Sequence, residues 1–412
     1  MTPANPLLLR LYMGARHAVP LLAKPLLKKR LRAGKEHPTR WTEKCGTPGK
    51  PRPSGPLIWL HAVGLGEVLS LRGLISTMSD IDASAHFLIT STALSSATDI
   101  AAQLPARTTH QFLPLDAPRY SKRFLDHWRP DLVIWAEQDI WPGLICDIHA
   151  RAIPQVLINA RMNTASLQKH LPARSLYSAA LSRMALITAQ DSDTAQNLKT
   201  LGTPQNITLN PSLKAAAPPL THDPQALKTL QKATQKRRIW ITAPAHAPDA
   251  GRAIRAHKTL LAHDPTALLI IAPRNLSLAL PANLPRRSAG QLPTGPIWIA
   301  DTLGEMGTLY RLADTALIGG TFGDTQGHSP WEAACLGCAI LHGPHTANFA
   351  SDYATLARKH AALKVADAQG IANALLGANR DALTQNATAL ITQARADLHP
   401  LALSLLALKA PA

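Results

Sequence analysis

Two acidic residues, each in a short motif at the end of an apolar run, are the first places in this 412-residue chain where chemistry could reside. In His61-Ala-Val-Gly-Leu-Gly-Glu67-Val-Leu, two glycines allow close backbone approach by a ligand, and Glu67 falls in the first turn of the helix that follows. An acid at that position also complements the helix dipole. A phosphate cradle would exclude a carboxylate, so Glu67 suits proton abstraction from an alcohol, with Gly66 leaving room for the acceptor. The second motif reads Trp135-Ala-Glu137-Gln-Asp139-Ile-Trp141-Pro142. Acids for hydroxyls and aromatic faces for sugar rings suit a carbohydrate acceptor held by Glu137 and Trp141, although Trp141 equally suits a core and Pro142 a helix start.

Later motifs carry the opposite charge. Ala272-Pro-Arg274 ends an apolar run with a cation suited to phosphate. Thr302-Leu-Gly304-Glu-Met306-Gly307-Thr-Leu-Tyr310 opens a helix whose free N–H groups could face an anion. Gly319-Gly320-Thr321-Phe322 is followed by His328-Ser329-Pro330-Trp331-Glu332, where a Ser329 cap, Pro330 and Glu332 form a capping-box pattern. Gly343-Pro344-His345-Thr346 follows another run. Together these segments read as a nucleotide-phosphate site. The single Cys335-x-x-Cys338 pair is too few ligands for zinc, so no metal is expected. The chain contains no H-E-x-x-H, no G-x-S-x-G and no P-loop, which removes support for hydrolase and ATPase readings.

Positioning these residues requires strands alternating with helices. Apolar runs at Leu57–His61, Phe87–Thr90, Leu132–Trp135, Gln155–Asn159 and Leu186–Ala189 precede a proline-rich break from Pro211 to Pro224. The alternation resumes at Ile239–Ala243, Ala267–Ala272, Ile297–Ala300, Thr315–Gly319, Ala339–Leu341 and Ala362–Val365. Continuous rather than alternating apolar runs predict parallel sheets covered on both faces. The expected organisation is a basic amphipathic segment and loop over residues 1–50 and an acceptor-binding domain over 51–215. A linker over 216–236 and a nucleotide-sugar-binding domain over 237–412 with terminal helices complete it. Two doubly wound α/β domains of this kind place ligands at the carboxyl ends of their strands, in a cleft between the domains.

Lys+Arg 43 against Asp+Glu 26 gives a formal charge of +17, and residues 1–35 hold eight cations and no acid. That segment interleaves its cations with leucines, but no apolar run is long enough to span a bilayer. It predicts a peripheral or monotopic helix on an anionic membrane surface. A helix packed on its own protein with a solvated basic face is the competing reading. Aromatics at 4% give little for stacking bases, so no nucleic acid is expected as a partner. Four cysteines fit a reducing compartment.

The segments LIWLHAVGLGEVLSLRGLI, FLPLDAPRYSKRFLDHWRPDLVIWAEQDIWPGLI, LINARMNTAS, LLIIAPRN and IADTLGEMGTLYRLADTALIGGTFGDTQGHSPWEAACLGCAILHGPHTANFASD resemble the 3-deoxy-D-manno-octulosonic acid (Kdo) transferases of lipopolysaccharide assembly over nearly the whole chain. The resemblance implies a GT-B glycosyltransferase that moves Kdo from CMP-Kdo to a phosphorylated lipid A precursor with inversion and without a cofactor, at the cytoplasmic face of the inner membrane. It also implies Glu67 as general base, Glu137 as a second acid, and Lys214, Arg274, Gly304, Met306, Gly307, His328, Ser329 and Glu332 around CMP. The family usually has a serine at Gly64, a histidine at Asn275, Gly-Gly-His-Asn at Gln326–Ser329, Gly-Asn-Leu-Lys at Pro211–Lys214 and a Thr-His-Glu-Gly-like loop at Ala245–Pro248. Because most departures lie in the donor half, two rivals follow: a GT-B transferase with another nucleotide sugar, and a non-catalytic membrane-peripheral paralogue.

Overall fold

The computed structural model describes residues 5–94, 104–202, 207–210 and 212–409, together with the backbone but not the side chain of Leu65; the start of the basic segment and Pro211 lie outside the described residues. The chain divides into two compact units, Met1–Ala217 with Ala394–Ala412, and Pro218–Gln393.

The first unit is built on a parallel sheet of seven strands in the order β3-β2-β1-β4-β5-β6-β7. These are β1 (Leu57–His61), β2 (His86–Ser91), β3 (Thr108–Phe112), β4 (Leu132–Ala136), β5 (Gln155–Ala160), β6 (Leu186–Ala189) and β7 (Ile207–Leu209). All five residues of β1 and all five of β4 are buried, as continuous apolar runs require when helices cover both faces. Their register sets His61 beside Trp135. Beneath the strand exits, Trp59 lies 4.7 Å from Phe124 and 5.6 Å from Trp135 between ring centroids. Three indole N–H groups of this core find acceptors: Trp59 donates to Thr90 Oγ1, Trp135 to Gln155 Oε1 and Trp128 to Gln111 Oε1.

Two helices, Leu7–Ala15 and Val19–Arg32, precede the sheet. Leu9 packs with Leu176 and Ala179, and Ala23 and Leu27 pack with Cys45, Ala117 and Tyr120. Arg16 between them is 2% exposed and bonded to Asp116, Asp147 and Ser121. Gly143 makes room for it, since a Cβ there would stand 2.1 Å from Arg16 Nε. The opposite faces are open: Leu7, Leu11, Leu21, Leu22 and Leu26 are all more than half exposed.

The second unit holds a parallel sheet in the order β10-β9-β8-β11-β12-β13. Its strands are β8 (Ile239–Ala245), β9 (Leu268–Pro273), β10 (Ile297–Ile299), β11 (Thr315–Ile318), β12 (Ala339–His342) and β13 (Ala362–Lys364). Much of the segment expected as a linker over 216–236 is instead ordered: Pro224–Ala233 is a helix of this unit, capped by the Asp223 carboxylate at the N–H groups of Gln225 and Ala226. The long helix Arg380–Leu406 begins in the second unit, but from Ala394 onward its residues belong to the first. Leu398, Leu401, Ala402 and Leu405 are buried, and Lys409 pairs with Asp82 at 2.7 Å.

Candidate active site

In the first sheet the strand order reverses between β1 and β4, and such a switch point opens a crevice outside the carboxyl ends of the strands. The loops leaving β1 and β4 carry Glu67 and Glu137. After β1 the chain reaches Gly64, extended at φ −119° and ψ 175°, and then enters the helix Leu65–Ser70. Glu67 lies in the first turn and folds back, so that its Oε2 accepts from Val63 N at 2.8 Å and Gly64 N at 3.0 Å. Its Oε1 takes no hydrogen bond among the described residues. A Cβ added at Gly64 or Gly66 would meet nothing within 4 Å, so neither glycine answers a packing demand and space beside Glu67 stays open.

Glu137 leaves β4 with φ 65°, in the left-handed region. Its Oε1 pairs with Lys214 Nζ at 2.7 Å and accepts from Asn159 Nδ2 at 3.5 Å. Lys214 stands on the short helix Leu213–Ala216, and that helix is tied to the same asparagine, because Leu213 N donates to Asn159 Oδ1 at 3.2 Å. Asn159, itself at φ 54°, thus holds the acid and the carrier of its cation together. Sequence reasoning gave Asn159 no role; the signal available was an amide near the end of β5, the strand beside β4.

The electrostatics follow from this packing. Burial raises the Glu67 carboxyl above the usual carboxylate range and the charge of Glu137 raises it further, opposed by the Gly64 and Val63 N–H groups and Lys214. A carboxylate with raised proton affinity, one unbonded oxygen and adjacent open space is equipped to take a proton from an alcohol. Nearby, the wholly buried His61 faces Asp139 Oδ2 at 2.8 Å through Nε2 and Thr90 through Nδ1, fastening the loop of Glu137 to β1 and β2. Burial works against the Asp139 charge, yet the bond to His61 lowers its pKa. Trp141 is half-buried and packs against the first unit's core, just before the helix Pro142–His149.

In the second sheet the reversal falls between β8 and β11. Arg274 follows β9 with an exposed side chain, its backbone N–H bonded to Ala245 O at 2.9 Å. His246 follows β8, and its Nε2 lies 2.8 Å from Nε2 of His328 in the loop after β11. Gly304 is left-handed at φ 81° with open space around it, while Met306 begins the helix Met306–Leu312. Gly307 has a different reason to be glycine: a Cβ there would stand 1.9 Å from Thr221 O. Glu305 is caged by Arg287 and Thr302. The expected Ser329 capping box does not form. The helix is Trp331–Ala334, its cap position falls on Pro330, and no side-chain cap hydrogen bond is made there. Glu332 consequently stays at the surface, where surrounding protein raises its carboxyl pKa and the nearby Arg274 opposes the rise.

A family model described as 3-deoxy-D-manno-octulosonic-acid transferase (kdotransferase) matches residues 39–217. Over 370 residues the chain is 33% identical to the probable mitochondrial 3-deoxy-D-manno-octulosonic acid transferase of Arabidopsis thaliana, covering 82% of this chain and 80% of that protein. Over 335 residues it is 29% identical to the 3-deoxy-D-manno-octulosonic acid transferase of Haemophilus influenzae, covering 78% of each. Among solved structures, UDP-GlcNAc 2-epimerase from Neisseria meningitidis matches 85% of the chain and 99% of its own with a TM-score of 0.58 at 14% identity, a likeness of fold in the GT-B class.

Proposed function

Because the chain belongs to the 3-deoxy-D-manno-octulosonic acid transferase family, we propose that it transfers Kdo from CMP-Kdo to a hydroxyl of a phosphorylated lipid A precursor in lipopolysaccharide biosynthesis. The observation that carries the mechanism is the pairing of Glu67, its Oε1 unbonded and its pKa raised, with the Glu137–Lys214 ion pair at one switch point. Glu67 takes the proton of the acceptor hydroxyl. The oxygen forms its bond to the anomeric carbon of Kdo as the bond from that carbon to the CMP phosphate oxygen breaks, and CMP leaves with the electron pair. Arg274 meets the phosphate charge, with Gly304, Met306, His328, Ser329 and Glu332 around the nucleotide. Lys214 and Glu137 set the charge that Glu67 experiences and thereby the pH at which it is ready as a base.

No described helix is long and apolar enough to cross a membrane. The exposed leucines and cations of Leu7–Ala15 and Val19–Arg32 support peripheral attachment to an anionic bilayer, on the cytoplasmic face where this acceptor would be met.

The test is a mass-spectrometric assay of Kdo addition with CMP-Kdo and lipid A precursor, run beside Glu67→Gln. Product with the native protein and its loss in the variant are expected. A folded protein that CMP stabilises but that forms no product contradicts the reading, and stabilisation by UDP or GDP in place of CMP would shift it to another nucleotide sugar.

A further inference from the structure

The reaction proposed above gives His328 a place near the nucleotide but leaves unexplained why a second histidine meets it head-on. His246 caps the helix Ala247–Leu261 and His328 lies beyond β11, at the second sheet's switch point. Their Nε2 atoms are 2.8 Å apart and their rings nearly coplanar, 10° between planes. Two imidazole nitrogens come so close only when one carries a proton and the other offers a lone pair. Two lone pairs, or two N–H groups, would repel.

That constraint fixes the pair's capacity. In the neutral state one ring holds the bridging Nε2–H and the other ring keeps its hydrogen on Nδ1. One added proton goes to the vacant Nδ1 of the bridging ring, which leaves the bridge in place and makes it charge-assisted. A second would set two N–H groups against each other, so the pair takes up one proton and no more.

The surroundings determine when it does so. Burial, then His246 and then Arg274, hold His328 down to about 4. Around the pair, Asp249 accepts from the backbone N–H groups of His246 and Gly320, the Tyr353 hydroxyl donates to His328 O, His345 engages Gly323 O through Nδ1, and Glu332 senses Arg274. Of these groups Arg274 is the cation that penalises a charged pair, and an anion bound to Arg274 reverses that penalty.

We propose that the His246–His328 pair is a one-proton acceptor coupled to the nucleotide site, so that binding of a nucleotide's phosphate draws a proton onto the two rings and presents a cation to the leaving group. The inference rests on the nucleotide reading of Arg274 and His328. By linkage, affinity for the phosphate rises as pH falls from the pair's ligand-bound pKa toward its ligand-free one, and proton uptake accompanies binding in that window.

Calorimetry with cytidine 5′-(methyl phosphate), a diester whose single charge does not titrate near neutrality, separates these claims when binding enthalpy is measured in buffers of different ionisation enthalpy. The expected result is net proton uptake, between zero and one per nucleotide, by the native protein, and its disappearance in His246→Asn and in His328→Asn. Binding with no uptake overturns the inference and leaves the nucleotide reading standing, whereas no binding to folded protein overturns both. Uptake that persists undiminished in the variants also overturns it. Should either variant fail to fold, the native protein's buffer dependence still decides, because zero uptake is fatal on its own.

Discussion

At the scale of single residues, charge placement around Glu67 makes opposed predictions for its neighbours. Glu67→Gln should slow transfer by about 100- to 10,000-fold in single-turnover assays, the range expected for a general base. Since burial and Glu137 raise the Glu67 pKa, the native rate should fall on acidification with an inflection above the ordinary carboxylate range. Lys214 holds that pKa down and Glu137 holds it up, so Lys214→Met should move the acid limb to higher pH and Glu137→Gln to lower pH. Limbs that move together, or not at all, would show that the two groups do not act on the base. Gly66→Ala tests the open space: stability should change by no more than about 1 kcal/mol, while KM for the acceptor rises. Glu67 and Glu137 were readable because each follows a run of apolar residues at a strand exit. The Lys214–Glu137 contact was not readable from local pattern, since it joins distant segments through Asn159, and the capping box expected at Ser329 was lost because Pro330 occupies the cap position.

Among elements, the strands that escaped the sequence reading are instructive. β3 (Thr-Thr-His-Gln-Phe) and β7 (Ile-Thr-Leu) are the two edges of the first sheet, where one side is unpaired and polar or exposed residues are tolerated. Central strands, buried on both faces, advertise themselves as apolar runs; edge strands need not. The two leading helices show a similar split. Their leucine and cation content suggested a surface helix, while Arg16, one basic residue among eight in residues 1–35, is buried between Asp116 and Asp147. Arg16→Ala leaves two carboxylates around a vacated site and should cost about 3–5 kcal/mol in denaturant unfolding. Substituting Leu21, Leu22 and Leu26 together by serine removes only exposed apolar surface, so it should leave that unfolding midpoint nearly unchanged while weakening binding to anionic vesicles at least about tenfold.

For the molecule as a whole, the formal charge of +17 predicts that vesicle binding depends on both lipid charge and ionic strength. Sedimentation with anionic vesicles should decline as salt is added, with the leucine contribution persisting; equal binding to neutral vesicles would remove the electrostatic part of the attachment. The two-unit plan was legible because continuous apolar runs restart after a proline-rich break. The return of Ala394–Ala412 to the first unit was not, since an Ala- and Leu-rich helix looks the same whichever core it joins. That return has a consequence for biosynthesis. A ribosome emits Ala394 and the residues after it only once the entire second unit has been made, so the earliest-made half of the protein waits, with part of its packing surface unfilled, while the later-made half is translated. The nascent first unit is therefore the stage at which chaperone capture and proteolytic clipping should concentrate, and release of the completed helix is the event that ends that exposure.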